Sequence, residues 1–385
     1  MKKKIQVYHF HNGSGGGVLS VIRNLVKFSN NPSIENHVIY TINKDVTPLY
    51  IFEPLEGAQS EQVFYYSPTW NFYHTCRQLA KLLPDDKAVV VAHDWIELGM
   101  MSNLGLQNPV VHILHGDYPY YYNLAQQHNF SIDMFIAVAA SIKHKLALLI
   151  PERKENIKYR RFPVGLSSCA ASDRSASIIF LGRCTEGKGY HLLPLIAQAL
   201  QKKNTYLQWH IVGELNEKDK KKYAWDDTIE VIYYGSLPND RVQELLCQMQ
   251  FTILPSIAEG MPVSIAEAMK AGVIPLVNNI DGGIQELIKD GITGYKIINN
   301  NPELYAGYIY SLLRNEILSA SISENCIEAA NKLFDPYKNT RLIEEEICKL
   351  SFKSPKIKKA WKAYGSRFDK KWIPNLFTKS ARSFR

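Results

Sequence analysis

Short, fully apolar runs alternate along this chain with longer segments whose apolar positions recur every three or four residues. Ile5–Val7, His37–Tyr40, Ala88–Ala92, Val110–Leu114 and Met134–Val138 are compact β-leaning runs and predict buried strands. Val18–Phe28, Phe72–Leu83 and Ser141–Leu149 predict helices between some of them. A second series follows: strand Ser177–Leu181, helix Gly189–Lys202, strand Leu207–Val212, strand Glu230–Tyr234, helix Asn239–Gln248, strand Phe251–Leu254. It continues with a helix from Pro262 to about Ala271 and a strand over Val273–Val277. Strands without a polar face, separated by helices, predict parallel sheets covered on both sides. The fold class is therefore α/β, with two doubly wound series. Pro163 to Arg174 is rich in small and polar residues and reads as the linker, and Pro336–Leu350 reads as one more helix.

Composition bounds this picture. A chain of 385 residues, 46% of them hydrophobic, suits two domains with full cores. The start, MKKKIQVYHF, has an apolar run too short for a signal peptide and reads as a first strand. No apolar run approaches the roughly 18 residues that a membrane span needs. Cys76, Cys169, Cys184, Cys247, Cys326 and Cys348 are scattered without CxxC spacing, and read as reduced thiols of a cytosolic protein. The net charge of +8 sits in the tail: residues 351–385 hold eleven Lys or Arg against Asp369, while the rest of the chain is slightly acidic.

The chemistry concentrates in LPSIAEGMPVSIAEAMKAGVIPLVNNIDGGIQELIKDGITGY, residues 254–295. Phe251–Leu254 ends at Pro255, Glu259-Gly260-Met261-Pro262 makes a turn, Pro262 suits a first helical position, and Gly272 stops the helix. Ligands of doubly wound sheets bind at the carboxyl ends of strands. The N–H groups of Gly260, Met261 and Val263 would sit at a helix start, where anions bind. Glu259 lies just before that start and Glu267 a little over one turn along it. Phosphate on the helix start, with hydroxyls on two carboxylates, describes a nucleotide-sugar. Two solvated helix glutamates are the plain alternative. Gly182-Arg183 and Lys188 also follow a strand and open a helix, and an Arg fork with a Lys point charge is a common pairing on phosphates.

The segment resembles the donor-site signature of retaining glycosyltransferases of family 4, which have the GT-B fold. The matching letters are Pro255-Ser256, Glu259-Gly260, Pro262, Glu267-Ala268-Met269, Ala271-Gly272, Pro275, Gly282-Gly283, Glu286, Gly291 and Gly294. The resemblance implies two Rossmann-like domains facing a central cleft: 1–165 on the acceptor side, 166–335 on the donor side, and a helix at 336–350 crossing back. It implies that Glu267 binds the ribose and Glu259 the donor sugar near O3. Gly260, Met261, Pro262 and Val263 would line the sugar and diphosphate. Gly182, Arg183 and Lys188 match the family's G-R…K-G diphosphate motif. Gly213 matches a strand-end glycine near the nucleotide, and Gly16 and Gly17 a loop near the diphosphate or acceptor. His115 matches a histidine that contacts the donor sugar near O6. His93 and Asp117 are candidates for reaching the acceptor. Tyr118 to Tyr122 would either stack on acceptor sugars or pack on the domain.

The expected activity is transfer of a hexose-type sugar from a UDP- or GDP-sugar to a saccharide or lipid-linked acceptor, with retention, in surface polysaccharide or glycolipid synthesis. No DxD motif is present, so no metal and no cofactor are expected. The alternatives are a GT-B sugar-nucleotide epimerase or hydrolase, a glycosidase using two carboxylates, and a GT-B-like binding partner without catalysis. Ile357, Ala360, Trp361, Tyr364 and Phe368 fall at helical spacing in a basic tail, 351–385. Such a helix would either lie on an anionic membrane surface, through residues 353–385, or pack its apolar face on the first domain. The expected location is the cytoplasm, at the inner face of the membrane in the first case. Nucleic acid is a poor fit, because the body is acidic and carries no recognition motif.

Overall fold

The computed structural model describes the chain except for residues 1–3, 47–53, 85–86, 166–168, 170–173, 352–356, 362–364 and 384–385. It divides into two compact units: residues 1–162 with 337–385, and residues 163–336. In the first unit the strands are β1 (Ile5–His11), β2 (Ile34–Asn43), β3 (Ser60–Tyr66), β4 (Val89–Ala92), β5 (Val110–Leu114), β6 (Met134–Ala137) and β7 (Ile157–Tyr159). They form one parallel sheet in the order β3-β2-β1-β4-β5-β6-β7. In the second unit the strands are β8 (Ser175–Leu181), β9 (Gln208–Val212), β10 (Val231–Gly235), β11 (Met249–Leu254), β12 (Ile274–Asn278) and β13 (Tyr295–Ile297). Their order, β10-β9-β8-β11-β12-β13, is again all parallel. Both sheets reverse direction of growth beside their first strand, at β1/β4 and at β8/β11. The carboxyl ends there are where doubly wound sheets bind ligands.

The central strands are buried on both faces, which is why they read as continuous apolar runs. What periodicity left out has identifiable causes. The edge strand β3, SEQVFYY, is half exposed and polar. The helix Trp95–Leu104 is apolar all round and buried along most of its length, so it has no amphipathic stripe. The helix expected from Gly189 begins later, at Leu193, after a short turn over Tyr190–Leu192. Pro262 is extended and caps the helix Val263–Lys270 from outside rather than occupying its first position, and Gly272, at φ 74°, ends it.

Two expectations are corrected. Cys169 and Cys247, 78 residues apart in sequence, are joined in a disulfide, so scattered spacing was no guide to pairing. Cys76, Cys184 and Cys326 are free and buried. The expected tail helix does not form either. Residues 357–361 have no helical structure, Tyr364 lies outside the described residues, and the helix present is Asn375–Ser383. Lys358 is buried in the first unit, with Nζ 2.6 Å from both Asp133 Oδ2 and the Asn108 carbonyl. Asn71 Nδ2 lies within hydrogen-bonding distance of the carbonyls of Phe368, Lys370 and Ile373, and the Asp369 carboxylate accepts from Phe72 N and pairs with Arg382. Specific polar contacts therefore seat the tail on the first unit, where the pattern anticipated an apolar stripe. Most of the expected linker, Pro163 to Arg174, lies outside the described residues; Val164, near its start, is buried, as is Phe162 just before it. Among the described residues no helix is long and apolar enough to cross a membrane.

Candidate active site

In the second unit, two loops leave the carboxyl ends of neighbouring strands β8 and β11 and are tied by main chain. Ile257 N donates to the Gly187 carbonyl at 3.1 Å. Gly189 has φ 76°, and a Cβ there would lie 2.2 Å from the Pro255 carbonyl oxygen, so only glycine lets the loops meet. On the other side Gly182 N donates to the Val212 carbonyl. A Cβ at Gly213, φ 146°, would sit 1.9 Å from the Gly182 carbonyl oxygen. These contacts bring Gly182, Arg183, Lys188, Gly213 and Glu259 to one end of one sheet.

Lys188 Nζ donates to Glu259 Oε1 at 2.6 Å, and the Glu259 side chain is buried. A buried carboxylate is costly without such a partner. Arg183 is exposed, with no ion pair among the described residues. The helix Val263–Lys270 has no side-chain cap, so the first N–H groups after Pro262 remain for an anion. Met261 and Val263 are buried beside it, and Gly283 N donates to the Gly260 carbonyl at 2.6 Å, fixing the turn. Glu267 is buried one turn on and accepts from Asn239 Nδ2 at 3.2 Å. Asn239, from the helix after β10, carried no recognisable motif. Lys270, whose ammonium burial pushes down to about 8, donates to the Val164 carbonyl and serves structure. The arrangement offers two cations and a helix start for phosphate, and two carboxylates for hydroxyls.

The first unit gathers histidines at the matching end of its sheet. His9 ends near the tip of β1, His93 follows β4 and His115 follows β5. His93 Nδ1 lies 2.8 Å from His115 Nε2, His93 Nε2 lies 3.5 Å from His9 Nδ1, and His9 Nε2 lies 3.3 Å from Asn36 Oδ1. Burial pushes His9 down to about 4 and His115 to about 3; it also lowers His93 well below its ordinary value, and the neighbouring imidazoles add to that. His11 and His112 fall to about 4 for the same first reason. Gly16 caps the helix Gly17–Lys27 with open space where a side chain would stand. The loop before it is held by Asn12 Nδ2 donating to Asp94, which also accepts from Tyr120.

Two weaker candidates are reassigned. His93 is 2% exposed and both ring nitrogens face other histidines, so it touches no acceptor directly. Asp117 pairs with Lys145 at 3.0 Å and accepts from the Tyr122 hydroxyl, which makes it a structural carboxylate. Of the tyrosine run, Tyr121 and Tyr122 are buried, and Tyr118 and Tyr120 are partly exposed at the start of the helix Pro119–Gln127. Sequence reading did not single out Asn36 and His9, because isolated polar residues in a strand acquire meaning only from the strand order.

Residues 170–332 match the family described as Glycosyl transferases group 1. The putative colanic acid biosynthesis glycosyltransferase WcaL of Salmonella typhimurium is 27% identical over 40% of this chain and 41% of its own length. The lipopolysaccharide 1,6-galactosyltransferase of the same organism is 22% identical over 78% of this chain and 87% of its own. The chain spans under half the length of WcaL and of a glycosyltransferase of Methanocaldococcus jannaschii that it also matches. Among solved structures, Anabaena HepE in complex with UDP and glucose superposes with a TM-score of 0.71 at 15% identity, covering 90% of this chain and all of that one. TarM superposes with a TM-score of 0.62 at 20% identity, covering 73% and 58%. The fold is GT-B, as the sequence predicted.

Proposed function

We propose that this protein is a retaining, metal-independent glycosyltransferase that moves a hexose-type sugar from a nucleoside-diphosphate sugar to a saccharide or lipid-linked saccharide, in surface polysaccharide or glycolipid synthesis. The observation that carries this reading is the Lys188–Glu259 pair at the meeting of the β8 and β11 loops, beside an uncapped helix start. When a diphosphate enters, Lys188 and Arg183 take its charge, and Glu259 is left to orient sugar hydroxyls. Glu267 accepts from the ribose. The bond from the anomeric carbon to the diphosphate breaks, the acceptor oxygen bonds that carbon from the same face, and its proton passes to a phosphate oxygen of the leaving group. The protein contributes position and fixed charge. The names of the colanic acid and lipopolysaccharide relatives support a saccharide product. Complexes of HepE with UDP and glucose, and of TarM with UDP and α-GlcNAc-glycerol, support a UDP-sugar over a GDP-sugar donor.

The test is thermal shift of the full chain with UDP, GDP, ADP and their sugars, followed by detection of released nucleotide with and without saccharide acceptors. A bound ligand raises stability by RT ln(1 + [L]/Kd). One nucleotide should stand out, and release should depend on acceptor and survive EDTA. Release without any acceptor would favour the epimerase or hydrolase, and no nucleotide response would remove the reading.

A lipid-linked acceptor also fits the tail. Trp372, Leu376 and Phe377 are exposed at 73%, 77% and 58%, among exposed Lys370, Lys371 and Lys379. Aromatic and leucine side chains beside lysines suit the interface of an anionic bilayer. The triple variant Trp372→Ser, Leu376→Ser, Phe377→Ser should lose sedimentation with vesicles of phosphatidylcholine and phosphatidylglycerol; equal sedimentation of both proteins would remove the membrane role.

A further inference from the structure

The buried histidines of the first unit form a chain with a direction. Each imidazole lies at low effective polarity, and burial lowers its proton affinity so far that all three are neutral near pH 7. A neutral imidazole has one N–H and one lone pair, and a hydrogen bond at one nitrogen dictates the role of the other. The chain ends at Asn36, whose side-chain oxygen faces His9 Nε2 at 3.3 Å. That oxygen can only accept, so His9 carries its proton on Nε2 and presents a lone pair at Nδ1. His93 Nε2, 3.5 Å away, then donates, which leaves His93 Nδ1 as an acceptor. His115 Nε2, 2.8 Å from it, therefore donates as well. Following the chain outward, His115 must present an unprotonated Nδ1.

We propose that Asn36, His9 and His93 are positioning residues that lock His115 in the Nε2–H tautomer, so that its Nδ1 accepts a hydrogen bond from a hydroxyl of the saccharide substrate. Three features give the lock its force. The strands that carry it are adjacent: His9 on β1 is paired in register with Val38 of β2 and with Val91 of β4, two residues before His93. His9 and His93 are almost wholly buried, so water does not compete for their nitrogens, whereas His115 keeps partial exposure. The rings of His93 and His115 are near-parallel, with centroids 5.1 Å apart, and Tyr121 packs beside His115 at 6.1 Å. A histidine free to exchange tautomers would offer a hydroxyl a donor part of the time. A locked one offers an acceptor throughout, which selects a hydroxyl able to donate and disfavours a ligand group that can only accept. The substrate half of the proposal rests on reading His115 as a sugar contact; the tautomer half does not.

Long-range nitrogen–proton correlation spectra of the full-length protein, with histidine signals assigned by single His→Gln variants, test the lock directly. His115 should show the Nε2–H pattern. In Asn36→Leu, which removes the fixed acceptor, His115 should shift to a mixture of tautomers, while His128, bound to Ser102 Oγ, stays unchanged and reports that the unit is folded. The native protein decides the matter even if Asn36→Leu does not fold: an Nδ1–H pattern, or a mixture of tautomers, for native His115 overturns the lock. With glucose, N-acetylglucosamine and mannose as probes, whichever binds should lose about 3–10-fold in affinity in Asn36→Leu, the range for one neutral hydrogen bond. A tautomer shift without that loss overturns the sugar contact of His115 and leaves the lock standing.

Discussion

In the second unit the candidate residues are placed by main-chain contacts that only glycine permits; in the first they are placed by hydrogen bonds among buried polar side chains. Gly189 against the Pro255 carbonyl and Gly213 against the Gly182 carbonyl set where Lys188 and Arg183 stand. His9, His93, His115 and Asn36 depend on one another, with no glycine among them. The strand orders are alike at the switch points β1/β4 and β8/β11, so the difference lies in the end loops. A backbone-built site tolerates a charged ligand because its fixed dipoles need no reorganisation. A side-chain network is sensitive to protonation, because every member is obliged to keep one role.

The largest expected effect separates charge from scaffold within the second unit. Lys188→Ala removes one of two cations from the leaving diphosphate and should lower transfer roughly 10²–10³-fold, the scale for one such contact. It also leaves buried Glu259 without its partner. Lys188→Ala with Glu259→Gln removes that cost, so restored stability without restored activity is the expected outcome. Near-normal turnover of Lys188→Ala, measured as nucleotide released, would end the role assigned to it.

Acid should distinguish the units next. His9, His11, His112 and His128 are held near 4 by burial, against about 6.5 in an unfolded chain. Between those values the unfolded state binds protons that the folded state refuses, so stability falls as pH drops from about 6.5 toward 4. Burial raises Glu97 from 4.5 to about 8, aided by nearby Asp94, so its contribution is full below about 4.5, fades as pH rises toward 8, and partly offsets the histidines in this window. In the second unit His210 is the histidine lowered, and burial is again the cause. Hydrogen exchange read on peptides from each unit should show the first unit opening at higher pH than the second. Simultaneous opening, or the second unit first, would break the contrast.

The same contrast explains what the sequence disclosed. Lys188, Glu259, Gly213 and Glu267 were readable because a strand followed by glycine, proline and a charge fixes its own local geometry. The central strands were readable because burial on both faces leaves them mostly apolar, with only isolated polar residues such as His112 and Thr252. His93 was misread as an acceptor contact because its burial follows from β4 lying between β1 and β5, which no local pattern states. Asp117 sits in a loop and pairs with Lys145 of the helix Ala140–Leu149, a partner that no local pattern announces. The tail was misread because helical spacing of Ile357, Trp361 and Phe368 says nothing of Lys358 finding Asp133, or of Asn71 gathering three tail carbonyls. The Cys169–Cys247 bridge joins residues 78 apart, beyond any spacing rule.

The smallest expected effect tests whether close approach, rather than backbone angle alone, builds the second site. Gly16 and Gly213 both have φ in a region that side chains avoid, at 120° and 146°. Either residue changed to Ala should lose roughly 1–3 kcal/mol to backbone strain. A Cβ on Gly16 meets nothing within 4 Å, whereas one on Gly213 meets the Gly182 carbonyl at 1.9 Å. Overpacking of that kind adds about 1–3 kcal/mol, so Gly213→Ala should melt lower than Gly16→Ala by that margin. The displaced Gly182 carbonyl precedes Arg183, so Gly213→Ala should also weaken nucleotide binding. Equal melting of the two variants would show that strain, not contact between the β8 and β9 ends, dictates glycine at 213. The second unit would then hold its cations by other means than its main chain.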